Sequence, residues 1–215
     1  MANKKRSEIR ASARDILLDE FSEGVDLEFE DDYLNRIIRI TLDEVENKMP
    51  YEVKQTTLDD SESTAIVTTA DSKDIDISEI TNLIRLRNWR PVEFEVGKNP
   101  TRWRNCFVFA NTLTLDIDFL PSGDEAVYLY CLKKHTLTDA TSTVGATAAS
   151  VLLKGVCARA AQGKGRVLIN SLNTGGVNVG PRMIEVGKMW MDEYKKALKT
   201  EALEDNYEVL PRGVS

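Results

Sequence analysis

An α+β fold is predicted: a helical bundle of about four helices carrying an inserted antiparallel β module, a small sandwich or curled sheet. Three observations predict it. From about Asp74 to Lys134 the apolar residues recur with a period of two: Ile75 and Ile77; Ile84 and Leu86; Val92, Phe94 and Val96; Leu113, Leu115, Ile117 and Phe119; Val127, Leu129 and Cys131. The flanking segments instead repeat at three and four, the spacing of one helix face. The strands follow one another at roughly ten to fifteen residues, which leaves room for hairpin turns and none for helical crossovers, so they are expected to run antiparallel.

At 215 residues the chain can bury one sizeable core, or a core with a small satellite. Four stretches are expected within a single folding unit: N-terminal helices over 1–50, the β module over 51–136, C-terminal helices over 137–203 and an extended arm over 204–215. The first helix, residues 4–21, places Ile9, Ala13, Ile16, Leu17 and Phe21 on one face, and Gly24 closes it. The second, Asp31 to Lys48, aligns Tyr33, Leu34, Ile37, Ile38, Leu42, Val45 and Met49. Asp31 or Asp32 can cap its start and Pro50 stops it.

Edge strands are expected at Tyr51–Gln55 and Ala65–Thr69. Turn signals at Asn88, Gly97–Pro100 and Pro121–Asp124 punctuate the β module. Its solvent face is expected to carry Arg85, Arg87, Glu93, Glu95, Asp116 and Asp118. Residues 137–146, rich in Thr, Ser, Ala and Gly, read as a hinge. The helix from Ala146 to Gln162 buries Val151, Leu152, Val156 and Ala160, and its small residues Ala148, Ala149, Gly155, Ala158 and Ala161 admit a close partner helix. Gly163 and Gly165 are expected to end it.

A Gly- and Asn-rich loop, Asn170 to Gly180, then leads to Pro181 at the first position of the last helix. That helix is expected to run to about Leu203 with Ile184, Gly187, Trp190, Met191, Tyr194 and Leu198 inward. Trp190 and Tyr194 form a candidate helix-packing interface. In the arm, Tyr207, Val209 and Leu210 are the apolar handles for docking on a partner or a neighbouring copy.

Charge narrows the function classes. A formal net charge of −7 argues against a sequence-independent nucleic-acid binder, which needs excess Lys and Arg to neutralise phosphates. Met1–Arg6 has no apolar run behind it, so neither a signal nor a transit peptide is expected. No stretch reaches the roughly 18 to 20 apolar residues that span a bilayer, so no membrane partner is expected. Cys106, Cys131 and Cys157 form no CxxC pair and read as buried small hydrophobes in a reducing compartment.

No residue announces a chemistry. GKGR at Gly163–Arg166 and NTGGVNVG at Asn173–Gly180 match neither phosphate-loop pattern and read as turns between helices. Asp71, Asp74 and Asp76 resemble the start of a calcium loop, but Glu79 stands where Gly is required and Arg85 where Glu is required. Asp116 and Asp118 share a strand face and could do acid–base work. They underlie the alternative of a small carboxylate-dependent hydrolase acting on carbohydrate or nucleic acid, with a solvated face as the plainer reading. His135 is the single histidine, which excludes a His-clustered zinc site. Trp89, Trp103, Trp190, Tyr128 and Tyr130 could stack on bases, but with few cations beside them they read as core and interface aromatics. No cofactor, metal or catalytic residue is expected.

The layout resembles the head-to-tail adaptor (head-completion or connector) proteins of tailed bacteriophages. Three features carry this: the helix Tyr33–Met49 followed by Pro50 and Tyr51; the strand block RPVEFEVGKNPTRW with NTLTLDIDFLPSGDEAVYLYCLKKH; and the ending LLKGVCARAA, then INSLNTGGVNVGPRMIEVGKMWMDEYKKAL. It covers about residues 30–200 and rests on order and texture more than on invariant residues. The acidic stretch Asp59–Asp76 departs from the pattern. The resemblance implies a structural protein without catalysis. It would form a homo-oligomeric ring, usually of twelve copies, beneath the portal and lead double-stranded DNA from capsid to tail without binding it specifically. Its implied partners are itself, the portal and a tail or nozzle protein, and its place is the virion neck after synthesis in the host cytoplasm. A tail-completion or minor capsid protein is the neighbouring alternative.

Overall fold

The computed structural model describes residues 3–21, 29–56, 74–78, 80, 82–86, 92–94, 102–116, 127–170 and 179–202. The expected strand at Ala65–Thr69, the cap at Gly24, the turns at Asn88, Gly97–Pro100 and Pro121–Asp124, and the arm 204–215 lie outside them. The fold is α+β. Its helices are α1 (Arg6–Phe21), α2 (Asp31–Lys48), α3 (Ala146–Asn170) and α4 (Val179–Thr200). Its strands are β1 (Tyr51–Thr56), β2 (Asp74–Asp76), β3 (Leu83–Leu86), β4 (Val92–Phe94), β5 (Arg102–Arg104), β6 (Cys106–Phe109), β7 (Thr112–Leu115) and β8 (Val127–Lys133). The described residues through Pro50 and from His135 onward make a helical unit, and those from Tyr51 to Lys134 make a β unit.

In the helical unit α3 is apolar around most of its circumference, which suits a helix with neighbours on several sides. Val151, Leu152, Val156, Cys157, Ala160 and Ala161 are buried in one core with Ile9, Ala13 and Leu17 of α1, Leu34, Ile37, Ile38 and Val45 of α2, and Met183 and Tyr194 of α4. Ile16, expected inside, is 38% exposed, because Leu17 takes the inward position. At the start of α1 the Lys5 N–H donates to Glu8 Oε2 at 2.7 Å, one half of a capping box. At the start of α2 neither aspartate caps. The N-cap is Glu30, without a side-chain bond, and Asp31 is instead engaged by Arg14 and Arg10.

Two expectations about the C-terminal helices are corrected. α3 does not stop at Gly163 and Gly165 but passes through both to Asn170. A Cβ on Gly165 would stand 2.8 Å from the Gly180 carbonyl oxygen and 2.9 Å from Ile184 of α4, so this glycine marks a close helix approach and not a terminus. α4 begins at Val179, which puts Pro181 at the third position of its first turn, where the missing N–H still leaves no bond unmade.

The stretch 137–146 is also tied down more than a hinge would be. Leu137 bridges Ser142, and the Thr138 and Ala140 region closes through the Thr138 hydroxyl, which accepts from the N–H groups of Ala140 and Thr141. Asp139 then receives Arg6 and Arg10 from α1.

Every strand pair is antiparallel. β8 is the axis of a five-stranded sheet: β1 lies on one side, β3 and β4 share the other, and β5 follows β4. The second sheet runs β2-β7-β6. Leu113 and Leu115 of the second sheet share one core with Leu129 and Cys131 of the first, closed by Ile77 and Ile80, which makes the module a small sandwich. The pairing of Tyr51 with Lys133 brings the first and last residues of the β unit side by side. In the helical unit the flanking residues are held as well, with His135 Nε2 2.9 Å from the Met49 carbonyl oxygen.

Gly155 tests the close packing. Its missing Cβ would lie 2.6 Å from Thr41 Cγ2 and 2.8 Å from the Tyr194 ring, both fully buried. Ala at an ordinary helix glycine gains up to about 1 kcal/mol. Gly155→Ala is expected instead to destabilise the protein by roughly 1–2 kcal/mol in urea unfolding, since overpacking typically costs about 1–3 kcal/mol.

Candidate functional site

A polar cluster set against the core joins α2, α3 and α4. Arg159 donates to Glu44 Oε1 at 2.5 Å and to Thr41 Oγ1 at 3.0 Å, and its guanidinium lies 5.5 Å from the centre of the Tyr194 ring. Tyr194 donates its hydroxyl to Glu44 Oε2 at 3.0 Å, and Thr41 donates to the Ile37 carbonyl at 2.8 Å. The α-helical period produces this convergence: Ile37 and Thr41 are one turn apart on the inner face of α2, and Glu44 follows at three. Burial, and then the Glu44 charge, push the Tyr194 phenol up to about 12. A phenol so held is a donor and not a base, and the cluster reads as a clamp between helices.

The expected interface residues are therefore placed inside the molecule. Tyr194 is buried between α3 and α2, and Trp190 is half-buried against the same core. The small residues of α3 admit a close helix, and that helix is α4 of the same chain, locked further by Gln162 Nε2 donating to the Gly187 carbonyl at 2.8 Å. Tyr207, Val209 and Leu210 lie outside the described residues.

The other candidates are scattered. Asp116 is exposed at the end of β7, its N–H donating to the Asn105 carbonyl, and Asp118 lies outside the described residues. Asp74 and Asp76 flank Ile75 on β2. Asp74 accepts from the Thr114 hydroxyl at 2.5 Å and Asp76 from the Ser78 N–H at 2.8 Å; the Ser78 side chain first, and then its N–H, hold the Asp76 carboxyl below the usual range. Gly163 and Gly165 are helical, so GKGR is no phosphate loop.

Burial pushes the Cys157 thiol up to about 12 and the Cys131 thiol to about 11, which keeps both protonated and poor nucleophiles. Among the described residues no group of three or more His, Cys, Asp or Glu could hold a metal ion. Among them, too, no helix is long and apolar enough to cross a membrane.

What stands out on the surface is apolar. In β6, Phe107, Val108 and Phe109 are 65%, 50% and 87% exposed. Sequence reading overlooked this strand because it does not alternate: Cys106, Phe107, Val108 and Phe109 are apolar on both faces. That continuous run was itself the available signal, since a strand apolar on both sides is either buried or waiting to be covered.

Compared with known proteins, the chain matches no protein-family model and no curated protein sequence.

The clamp makes alkaline stability diagnostic. With the folded-state phenol near 12 against 10 for an ordinary tyrosine, the contribution of Tyr194 is complete below pH 10 and is lost as pH rises towards 12. The melting temperature of the wild type is expected to fall more steeply over that window than that of Tyr194→Phe. Parallel curves would show that the phenol is not held as described.

Proposed function

We propose that this chain is a structural protein of the virion, a head-to-tail adaptor of a tailed bacteriophage that lines up beneath the portal as a ring and leads DNA from capsid to tail. The observation that carries the reading is the order of parts. A helix closed by Pro50 leads into an antiparallel module, which returns at His135 to a long small-residue helix and an aromatic last helix. This is the order that the resemblance to such adaptors rests on.

Two physical features support it. A net charge of −7 repels phosphates, which suits a surface that DNA must pass without adhering. Among the described residues no strand covers the outer edge of β6, and its exposed apolar side chains can meet a protein partner, the kind of surface an assembling subunit needs. Its partners in this reading are identical neighbours, the portal and a tail or nozzle protein, with double-stranded DNA as a passenger, and its location is the virion neck.

The test is to mix the full chain with the portal of the same virus and average negative-stain images. A rotationally symmetric collar on one face of the portal is the expected result, weakened when residues 204–215 are deleted. Portals that stay bare at saturating concentrations of the intact chain would remove the reading.

A further inference from the structure

The outer edge of β6 has a direction of bonding that can be worked out. β6 and β7 are joined by the two residues Ala110 and Asn111, with Phe109 paired to Thr112, Val108 to Leu113, Phe107 to Thr114 and Cys106 to Leu115. Bonded and non-bonded pairs alternate in such a ladder. The next pair on is bonded, because the Asp116 N–H donates to the Asn105 carbonyl at 2.9 Å. Asn105, Phe107 and Phe109 therefore turn their backbone groups towards β7. Cys106 and Val108 turn theirs outward, to an edge that no strand covers among the described residues.

Three side chains at that edge form a palindrome. Phe107, Val108 and Phe109 are symmetric about Val108; Asn105 and Cys106 continue the strand on one side, while Ala110, with φ 51°, and Asn111 make the turn on the other. We propose that β6 is a self-association edge that pairs antiparallel with β6 of a second copy of this chain, about a two-fold axis at Val108. In that register the two Val108 residues exchange both backbone bonds, and Phe107 stands opposite Phe109 of the other copy on the same face. That face carries Thr112 and Thr114 and is otherwise polar, so the two pairs of phenylalanines cover each other where nothing else would. A head-to-tail partner such as β2 would instead bring Asp74 and Asp76 against the phenylalanines.

The edge is uncharged from Asn105 to Asn111, so two acidic chains meet there without like charges in contact. From the exposed fractions of Phe107, Val108 and Phe109, pairing would bury at most about 700 Å² over both copies. Stable interfaces usually need about 1,200 Å² or more, so the dimer is expected to be weak and to respond to concentration. A two-fold contact is not the head-to-tail contact that closes a ring. The pairing therefore stands or falls apart from the virion reading.

Sedimentation of the full chain from micromolar to near-millimolar concentration is the test. The wild type is expected to pass reversibly from monomer to dimer. Phe107→Thr with Phe109→Thr, which continues the threonine face of the sheet, is expected to stay monomeric with an unchanged circular dichroism spectrum. In a Cys106→Ala background Val108→Cys should oxidise to a covalent dimer far faster than Phe107→Cys, because directly opposed bonded residues lie about 5.5 Å apart, within disulfide reach. A wild type that is monomeric throughout, a double variant that still dimerises, or equal cross-linking at 107 and 108 would each overturn the proposal.

Discussion

The helical unit depends on how closely α3 can be approached. Dispersion attraction falls off within a fraction of an ångström, so a helix pair gains most when small residues let the backbones come near. α3 supplies them: Gly155 receives Thr41 and the Tyr194 ring, and Gly165 sits against the backbone of Gly180. Each glycine lowers helix propensity, and the packing it allows more than offsets that. Once the helices are this close, buried polar groups must find partners inside the bundle. The Tyr194 hydroxyl, the Thr41 hydroxyl and the Arg159 guanidinium do so on one another and on Glu44.

That compact base makes the insertion of the β unit simple. An inserted module disturbs its host least when the chain leaves and returns at neighbouring points. Here β1 and β8 pair from their first and last residues, and His135 reaches the Met49 carbonyl on the host side. The module has its own core, in which Leu113 and Leu115 meet Leu129 and Cys131. Among the described residues β2 and β6 are edge strands, and natural edge strands are usually short or charged to avoid pairing. β2 follows that habit with Asp74 and Asp76. β6 is short but not charged.

Much of this was legible in the sequence. The period of α2 carried its whole length, from Asp31 to Lys48, because its core face is built of large aliphatics with Pro50 as a hard stop. The antiparallel module was legible from alternation and turn spacing. The end of α3 was not, because a glycine that ends a helix and one that admits a neighbour look alike until the neighbour is placed. The 137–146 stretch looked loose by composition, yet its threonines bond locally and Asp139 meets two arginines more than a hundred residues away. Tyr194 reads from the sequence as a candidate helix-packing residue, and in the structure it is buried in the helical core of its own chain. β6 is not legible by alternation, because its apolar residues fall on both faces.

Function was less legible than fold, for a physical reason. Chemistry leaves marks in a sequence, as ligand spacings and paired acids, whereas an assembly surface is written only as shape and as apolar residues left outside. The proposed adaptor role is tested most directly by labelling purified tailed-phage virions with an antibody against this chain. Gold at the vertex between head and tail is what the account predicts. Label confined to the host lysate, or spread over the capsid or along the tail, would contradict it.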